Sequence, residues 1–130
     1  MSEKRRASML NPQQMWKLDN ACKPLVEVWG TSPYLVGSAM TTPYYRDVDV
    51  RMILDSDQYD LAILGPDHLA LLNMVFSEYL SNATGMPIDF QFQPRDEANA
   101  RHKGPRNPLG TRSLCDFRGD APRKMEADHA

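Results

Sequence analysis

Two stretches of the sequence alternate between apolar and polar residues at the period of a β-strand, and both carry aspartate among the polar residues. Residues 47–54 read Asp-Val-Asp-Val-Arg-Met-Ile-Leu, which directs Asp47 and Asp49 to the same face. Residues 88–93 read Ile-Asp-Phe-Gln-Phe-Gln, with Asp89 on the polar face. Because aspartate is depleted in strands, this recurrence constrains the fold more than any other feature of the chain.

Apolar residues at helical spacing flank these strand patterns. Asn11-Pro12 marks a helix start, and the apolar stripe that follows ends at Gly30. Pro24 lies inside this stripe and predicts a kink or a restart of the helix. A second stripe, from Leu69 onward, ends at Gly85, a suitable C-terminal cap.

Shorter signals complete the element order. Residues 34–36 (Tyr-Leu-Val) predict a strand that runs into a Gly-Ser turn, and residues 55–60 predict a polar turn. The resulting order is helix, strand, strand, helix, strand. We therefore expect an α/β (α+β) domain with a small mixed sheet, helices on one face and the other face open.

The length of 130 residues allows one ordinary domain. We expect residues 1–10 to be disordered, residues 11–94 to form the domain, and residues 95–130 to form a polar, basic and partly disordered tail. The net charge is −2, yet the tail holds eight of the fifteen Lys and Arg residues. A basic cluster in the tail could close over a nucleotide, bind nucleic acid or stay solvated: Arg101, His102, Lys103 and Arg106.

The two cysteines, Cys22 and Cys115, are far apart in the sequence and do not have the spacing of metal ligands. We expect two free thiols in the reducing cytoplasm. The basic N-terminal segment has no apolar stretch behind it, and no apolar run approaches the ~20 residues that span a bilayer. We therefore expect neither a signal peptide nor a membrane segment.

The three aspartates are the candidate metal-binding residues. Asp47 and Asp49 leave one strand face about 6.7 Å apart, and a neighbouring strand about 4.8 Å away would bring Asp89 to the same patch. Three such carboxylates repel one another, and a hard divalent cation relieves the repulsion while leaving coordination sites for phosphate oxygens. The alternative is that Asp-x-Asp marks only a solvated strand edge.

A Gly-Ser turn adds a second element. Gly37 and Ser38 follow the first strand, where backbone N–H groups and a hydroxyl can approach an anion. Eight residues separate Ser38 from Asp47, a connection that returns the carboxylates beside this turn. A Gly-Ser turn alone is common, and only its position near the carboxylates makes it a candidate anion-binding element.

The combined pattern resembles the signature of the DNA polymerase beta-like nucleotidyltransferases: Leu-Val-Gly-Ser, eight residues, then Asp-Val-Asp-Val, with a third aspartate on a later strand. The resemblance spans roughly residues 11–93. It implies that Gly37 and Ser38 contact the triphosphate, that Asp47 and Asp49 bind both metal ions, and that Asp89, also a metal ligand, helps activate the acceptor hydroxyl.

The resemblance implies an enzyme that uses Mg²⁺ or Mn²⁺ to transfer NMP from an NTP to an unknown acceptor, with release of pyrophosphate. Most active members of the family carry a C-terminal helical domain that holds the acceptor or base, and this chain offers only a polar tail. Two alternatives therefore stay open: a module of the same fold that binds a nucleotide or a partner without turnover, and an antitoxin-like protein that acts on a partner protein. The uncovered sheet edges also leave dimerisation open.

Two arginines are predicted to bind the nucleotide. Arg46 directly precedes Asp47, and Arg51 shares the face of Asp49. Each could contact phosphate, or could instead pair with the aspartates. The loop tyrosines Tyr44 and Tyr45 could stack on a base or could cover an edge of the core.

Overall fold

The computed structural model describes residues 8–101 and 104–112. Its elements, in chain order, are α1 (Pro12–Trp29), β1 (Tyr34–Val36), a 3₁₀ helix (Gly37–Met40), β2 (Val48–Leu54), α2 (Ser56–Ile63), α3 (Pro66–Thr84), β3 (Ile88–Pro94), α4 (Arg95–Arg101) and β4 (Asn107–Pro108). No helix within these two ranges has the length and apolar character needed to cross a membrane. The expectations for residues 1–7 and 113–130, and for His102 and Lys103, lie outside the described residues.

The strands form one sheet in the order β3-β2-β1-β4. β1 is antiparallel to both β2 and β4, whereas β2 and β3 are parallel. The parallel pair requires a long crossover, which α2 and α3 provide. The mixed sheet and the α+β class predicted from the sequence are confirmed.

α1 begins with a capping box. The Asn11 side chain accepts from the backbone N–H of Gln14 at 2.8 Å, and the Gln14 side chain accepts from the N–H of Asn11 at 2.9 Å. The helix continues through Pro24 as one element, so the restart expected there does not occur. Cys22 and Leu25 are buried on either side of the proline, and this packing holds both halves of the helix against the core.

The core lies between the sheet and the helices α1 and α3. Its β2 face consists of four residues that are fully inaccessible, as the alternation predicts: Val48, Val50, Met52 and Leu54. An aromatic cluster packs beside them with ring centroids 5.1–6.0 Å apart: Trp29, Phe76, Phe90 and Phe92. Offset and edge-on aromatic contacts of this kind stabilise beyond the area that they bury.

Cys22 is a free, buried thiol in this core. Burial, and to a smaller extent the charge of Asp19, raises the pKa of the Cys22 thiol to about 12. The thiol therefore stays protonated and unreactive at neutral pH. The second cysteine, Cys115, lies outside the described residues.

Two features differ from the expectations for the sheet face and its turns. Residues 55–60, predicted as a polar turn, form most of α2. The face predicted to be open is partly covered, because Ile53 and Gln93 are only 1% and 3% exposed on it. α4 contacts both β2 and β3, and we infer that this short helix closes the far end of the face.

The folded unit also extends beyond both predicted boundaries. Leu10 is 4% exposed, and the Met9 N–H donates to the carbonyl of Ala39 at 2.8 Å, so residues 8–10 are packed. After residue 94, β4 pairs with β1, and the Leu109 side chain is fully buried. Residues 95–101 and 104–112 are therefore part of the domain.

Candidate functional site

The strand register brings two of the three predicted carboxylates together. Asp49 on β2 is the direct partner of Asp89 on β3 and, on its other side, of Val36 at the end of β1. Neighbouring strands are about 4.8 Å apart, so the two aspartates project side by side. Gly37 and Ser38 begin the 3₁₀ helix directly after Val36, which places the Gly-Ser turn beside Asp49 as predicted.

Gly37 lies against the Asp49 carboxylate. A Cβ at this position would lie 2.3 Å from Asp49 Oδ2 and 3.3 Å from Asp49 Cβ. The backbone of Gly37 also has φ of +79°, in the left-handed region that side chains disfavour. The absence of a side chain at Gly37 therefore leaves room for the Asp49 carboxylate, and the positive φ lets the chain turn at the end of β1.

We expect Gly37→Ala to lower the free energy of unfolding by about 1 kcal/mol more than Gly85→Ala does. Gly85 is the matched control, because its φ of +75° gives the same backbone strain and nothing lies within 4 Å of its added Cβ. Urea denaturation of both variants measures the difference. Equal losses would mean that the Asp49 side chain moves aside freely.

Arg51 lies between the two aspartates. Its Nη2 is 3.8 Å from Asp49 Oδ1 and 3.4 Å from Asp89 Oδ2. Its Nη1 donates to the carbonyl of Val50 at 3.0 Å and to the carbonyl of Asp89 at 2.7 Å. The side chain is only 8% exposed, and these bonds fix the guanidinium as a counter-ion for both carboxylates. Of the two alternatives for Arg51, the structure therefore has the ion pair.

The remaining predicted site residues lie in the exposed segment around β1 and β2. Ser38 is exposed in the 3₁₀ helix, and Arg46 and Asp47 are exposed just before β2. Among residues 8–101 and 104–112, no three or more His, Cys, Asp or Glu side chains are close enough together to hold a metal ion. The described structure thus pairs Asp49 with Asp89, and a joint metal site that includes Asp47 stays a prediction.

The two loop tyrosines differ. Tyr44 is 89% exposed, whereas Tyr45 packs against the core. Tyr44 is therefore the more accessible of the two to a ligand.

The donor set nevertheless fits a hard divalent cation. Asp49 and Asp89 offer carboxylate oxygens from neighbouring strands, and Mg²⁺ is commonly bound through one or two carboxylates together with substrate phosphates. The Asp49 carboxylate is also seated against the bare Cα of Gly37, and a larger residue would displace it. Arg51 already supplies one positive charge, so a cation would have to share the carboxylates with the guanidinium.

A cavity of about 370 Å³ lies elsewhere, against α1 and the end of α3. Its lining contains none of the predicted site residues: Trp16, Lys17, Asn20, Ala21 and Ala83. The candidate site is instead a shallow, charged patch at the start of β2 and β3.

One buried acid was not singled out by the sequence analysis. Asp19 on α1 is 1% exposed and accepts hydrogen bonds from the N–H groups of Gly110 and Arg112, at 2.7 and 2.9 Å. It also pairs with the side chains of Arg112 and Lys23, at 2.9 and 3.3 Å. Asp19 therefore attaches the C-terminal segment to α1, and it is not part of the patch.

Comparison of the chain with protein-family models, with curated proteins and with solved structures found no significant match.

Proposed function

We propose that the protein is a metal-dependent nucleotidyltransferase, which transfers NMP from an NTP to an acceptor hydroxyl and releases pyrophosphate. The observation that carries the proposal is the alignment of Asp49 with Asp89 across the parallel strands, with Gly37 against the Asp49 carboxylate. Carboxylates on one sheet face beside a Gly-Ser turn suit a triphosphate bound through a cation. The buried free thiol of Cys22 suits the reducing cytoplasm that we propose as its location.

The residues would divide the work as follows. The exposed hydroxyl and backbone of Ser38, together with Gly37, would donate hydrogen bonds to the triphosphate. Asp47, Asp49 and Asp89 would hold Mg²⁺ or Mn²⁺, which when bound neutralises the charge that develops on the transferred phosphate. The exposed Arg46 would add a further positive charge beside the phosphates.

The transfer needs no reactant other than the NTP and the acceptor. The acceptor oxygen would form a bond to the α-phosphorus. The bond between the α-phosphorus and the oxygen that bridges it to the β-phosphorus would break, and that oxygen would leave with pyrophosphate. The Asp89 carboxylate would accept the proton of the acceptor hydroxyl. Arg51 would position Asp89, because its Nη1 donates to the Asp89 carbonyl at 2.7 Å.

The first test is binding. We expect Mg²⁺ with an NTP to raise the melting temperature, because a ligand at about 100 times its Kd adds about 2.7 kcal/mol to the free energy of unfolding. ATP, GTP, CTP and UTP are compared by differential scanning calorimetry, each with Mg²⁺ and with EDTA. Asp49→Asn should remove the metal-dependent part of the shift, whereas Asp60→Asn, an exposed residue of α2, should retain it.

The proposal would be abandoned if no NTP stabilised the wild-type chain in a metal-dependent way. A shift of equal size in the Asp49→Asn variant would place the nucleotide elsewhere on the protein.

A second candidate is a module of the same fold that binds a nucleotide or a partner without turnover, and an antitoxin-like protein that acts on a partner protein is a further alternative. The observation that favours it is Arg51, whose guanidinium lies within 3.8 Å of both carboxylates. The guanidinium already compensates part of the negative charge of the two carboxylates before any metal binds. Transfer assays separate the two candidates, as described in the Discussion.

A further inference from the structure

The outer face of α3 is apolar and uncovered. Leu71, Met74 and Val75 are 51%, 59% and 47% exposed. Their spacing of i, i+3 and i+4 makes them neighbours on one side of the helix. The core side of α3 is formed by other residues of the helix, among them Phe76 and Leu80, and about half of each of the three exposed side chains remains accessible to solvent.

The neighbouring helix also exposes apolar side chains. α2 contacts α3, and Leu61 and Leu64 at its C-terminal end are 78% and 73% exposed. We call the five side chains together the α2–α3 apolar surface: Leu61, Leu64, Leu71, Met74 and Val75. Apolar side chains left in water forgo the free energy that their burial would provide.

Leu64 is also held in an unfavourable backbone conformation. Its φ is +55°, and it is the one residue other than glycine with positive φ among residues 8–101 and 104–112. Residues with a side chain disfavour this conformation, and helices usually end on glycine or asparagine there. The conformation ends α2, because the Leu64 N–H donates back to the carbonyl of Asp60 at 3.5 Å, and the turn leaves the Leu64 side chain on the surface.

The charge around this surface has one sign. The sequence contains no Lys or Arg from residue 52 to residue 94, and it has six Asp and Glu in the same stretch. Four of these acids are exposed on the two helices: Asp57, Asp60, Asp67 and Glu78. The α2–α3 apolar surface is therefore surrounded by negative charge without an internal counter-ion on either helix.

We propose that the α2–α3 apolar surface docks a cationic amphipathic helix of a partner protein. An apolar stripe on such a helix would cover the exposed leucines, and its flanking Lys or Arg residues would meet the acidic groups. A second copy of this chain fits poorly, because two such surfaces would bring like charges together. The proposal is independent of nucleotide binding.

The test uses two synthetic helical peptides with the same leucine stripe, one flanked by lysines and one by glutamates. Fluorescence anisotropy with the full chain should show saturable binding of the lysine peptide alone. The affinity should fall as salt rises from about 0.05 M to about 0.5 M, because exposed charges are screened. A double variant, Leu71→Ser with Val75→Ser, should weaken binding about tenfold or more.

Tyr44→Ser is the matched control. Tyr44 is 89% exposed and lies four residues before β2 begins, at the same end of the sheet as Gly85, which ends α3. Leu71 is 14 residues earlier in α3, roughly 20 Å along the helix. Tyr44→Ser should therefore leave the affinity for the lysine peptide unchanged.

A charge-reversal variant shows whether weaker peptide binding results from misfolding. Asp67→Lys combined with Glu78→Lys should weaken binding of the lysine peptide and create binding of the glutamate peptide, an inversion that an unfolded variant cannot produce. Equal binding of both peptides by the wild-type chain, or full affinity in the Leu71→Ser, Val75→Ser variant, would overturn the proposal. If sedimentation showed that the chain self-associates and Leu71→Ser abolished this association, the occupant would be a second copy of the chain and the proposal would be overturned.

Discussion

Replacing Asp89 by asparagine is expected to lower nucleotidyl transfer by about 10²-fold or more, the scale of a lost general base, while leaving most of the affinity for NTP. Asparagine keeps the shape of the side chain and removes its charge. The Arg51 guanidinium stays anchored in the variant, because its 2.7 Å hydrogen bond goes to the backbone carbonyl of residue 89. The Asp89 side chain is 42% exposed, which leaves it accessible to an acceptor.

Asp49→Asn should behave differently. The Asp49 carboxylate lies in the middle of the patch, between Gly37 and Arg51, and its side chain is 26% exposed. If it holds the cation through which the triphosphate binds, its loss should weaken NTP binding and transfer together. The contrast between Asp49→Asn and Asp89→Asn therefore reports on roles and not only on the presence of a site.

The measurement is transfer of an α-labelled NTP to the protein itself or to cell extract, followed on a gel, with Asp60→Asn as the control. A wild-type chain that binds Mg²⁺ and NTP tightly and labels nothing would favour the non-catalytic module. That candidate also predicts that Asp89→Asn is nearly silent. A variant that binds well and loses the label would be hard to explain without catalysis.

The sequence alone could predict the two aspartate-bearing strands and their core faces, because strict alternation reports the face of each residue. The sequence predicts that Asp49 and Asp89 are close only if their two strands are neighbours, and alternation does not say which strands are neighbours. The α2–α3 crossover makes β2 and β3 parallel neighbours, and the register then aligns Asp49 with Asp89. Adjacency is a property of topology, and no local pattern contains it.

Local composition misled the prediction for residues 55–60, which are rich in polar residues and form most of α2. Asp57 and Asp60 are exposed, as a solvated turn would have them. Tyr59 and Ala62 pack against the core, so tertiary contacts hold a helix that propensity alone does not favour. The covered end of the β2–β3 face was missed for a related reason, because alternation cannot show that α4 follows β3 and folds back over it.

The C-terminal segment escaped prediction because β4 is two residues long, too short for any periodicity. One signal was present in α1. Asp19 lies four residues after Met15 and three before Cys22, so it falls inside the apolar stripe of the helix. An acid on a buried helix face needs a partner, and this one has Arg112.

Asp19→Ala should accordingly be among the most destabilising substitutions in the chain, with a loss of about 3–5 kcal/mol in the free energy of unfolding. The carboxylate is 1% exposed, and its removal leaves the N–H groups of Gly110 and Arg112 without their acceptor. It also takes one of three acceptors from the Arg112 guanidinium, which keeps Pro108 and Asn107. Lys23→Ala should cost less than about 1 kcal/mol, because Lys23 is 42% exposed in its pair with Asp19.

Urea denaturation measures these losses, and Asp57→Ala on the exposed side of α2 serves as the control, expected within about 0.5 kcal/mol of the wild type. Hydrogen exchange shows where the loss falls. The Leu109 N–H donates to the Pro33 carbonyl at 2.9 Å, and it should lose protection in Asp19→Ala more than the central β2 amides do, because the segment is released from α1 before the sheet opens. If Leu109 kept its protection while global stability fell, Asp19 would stabilise α1 itself, and its bonds to the C-terminal segment would contribute little.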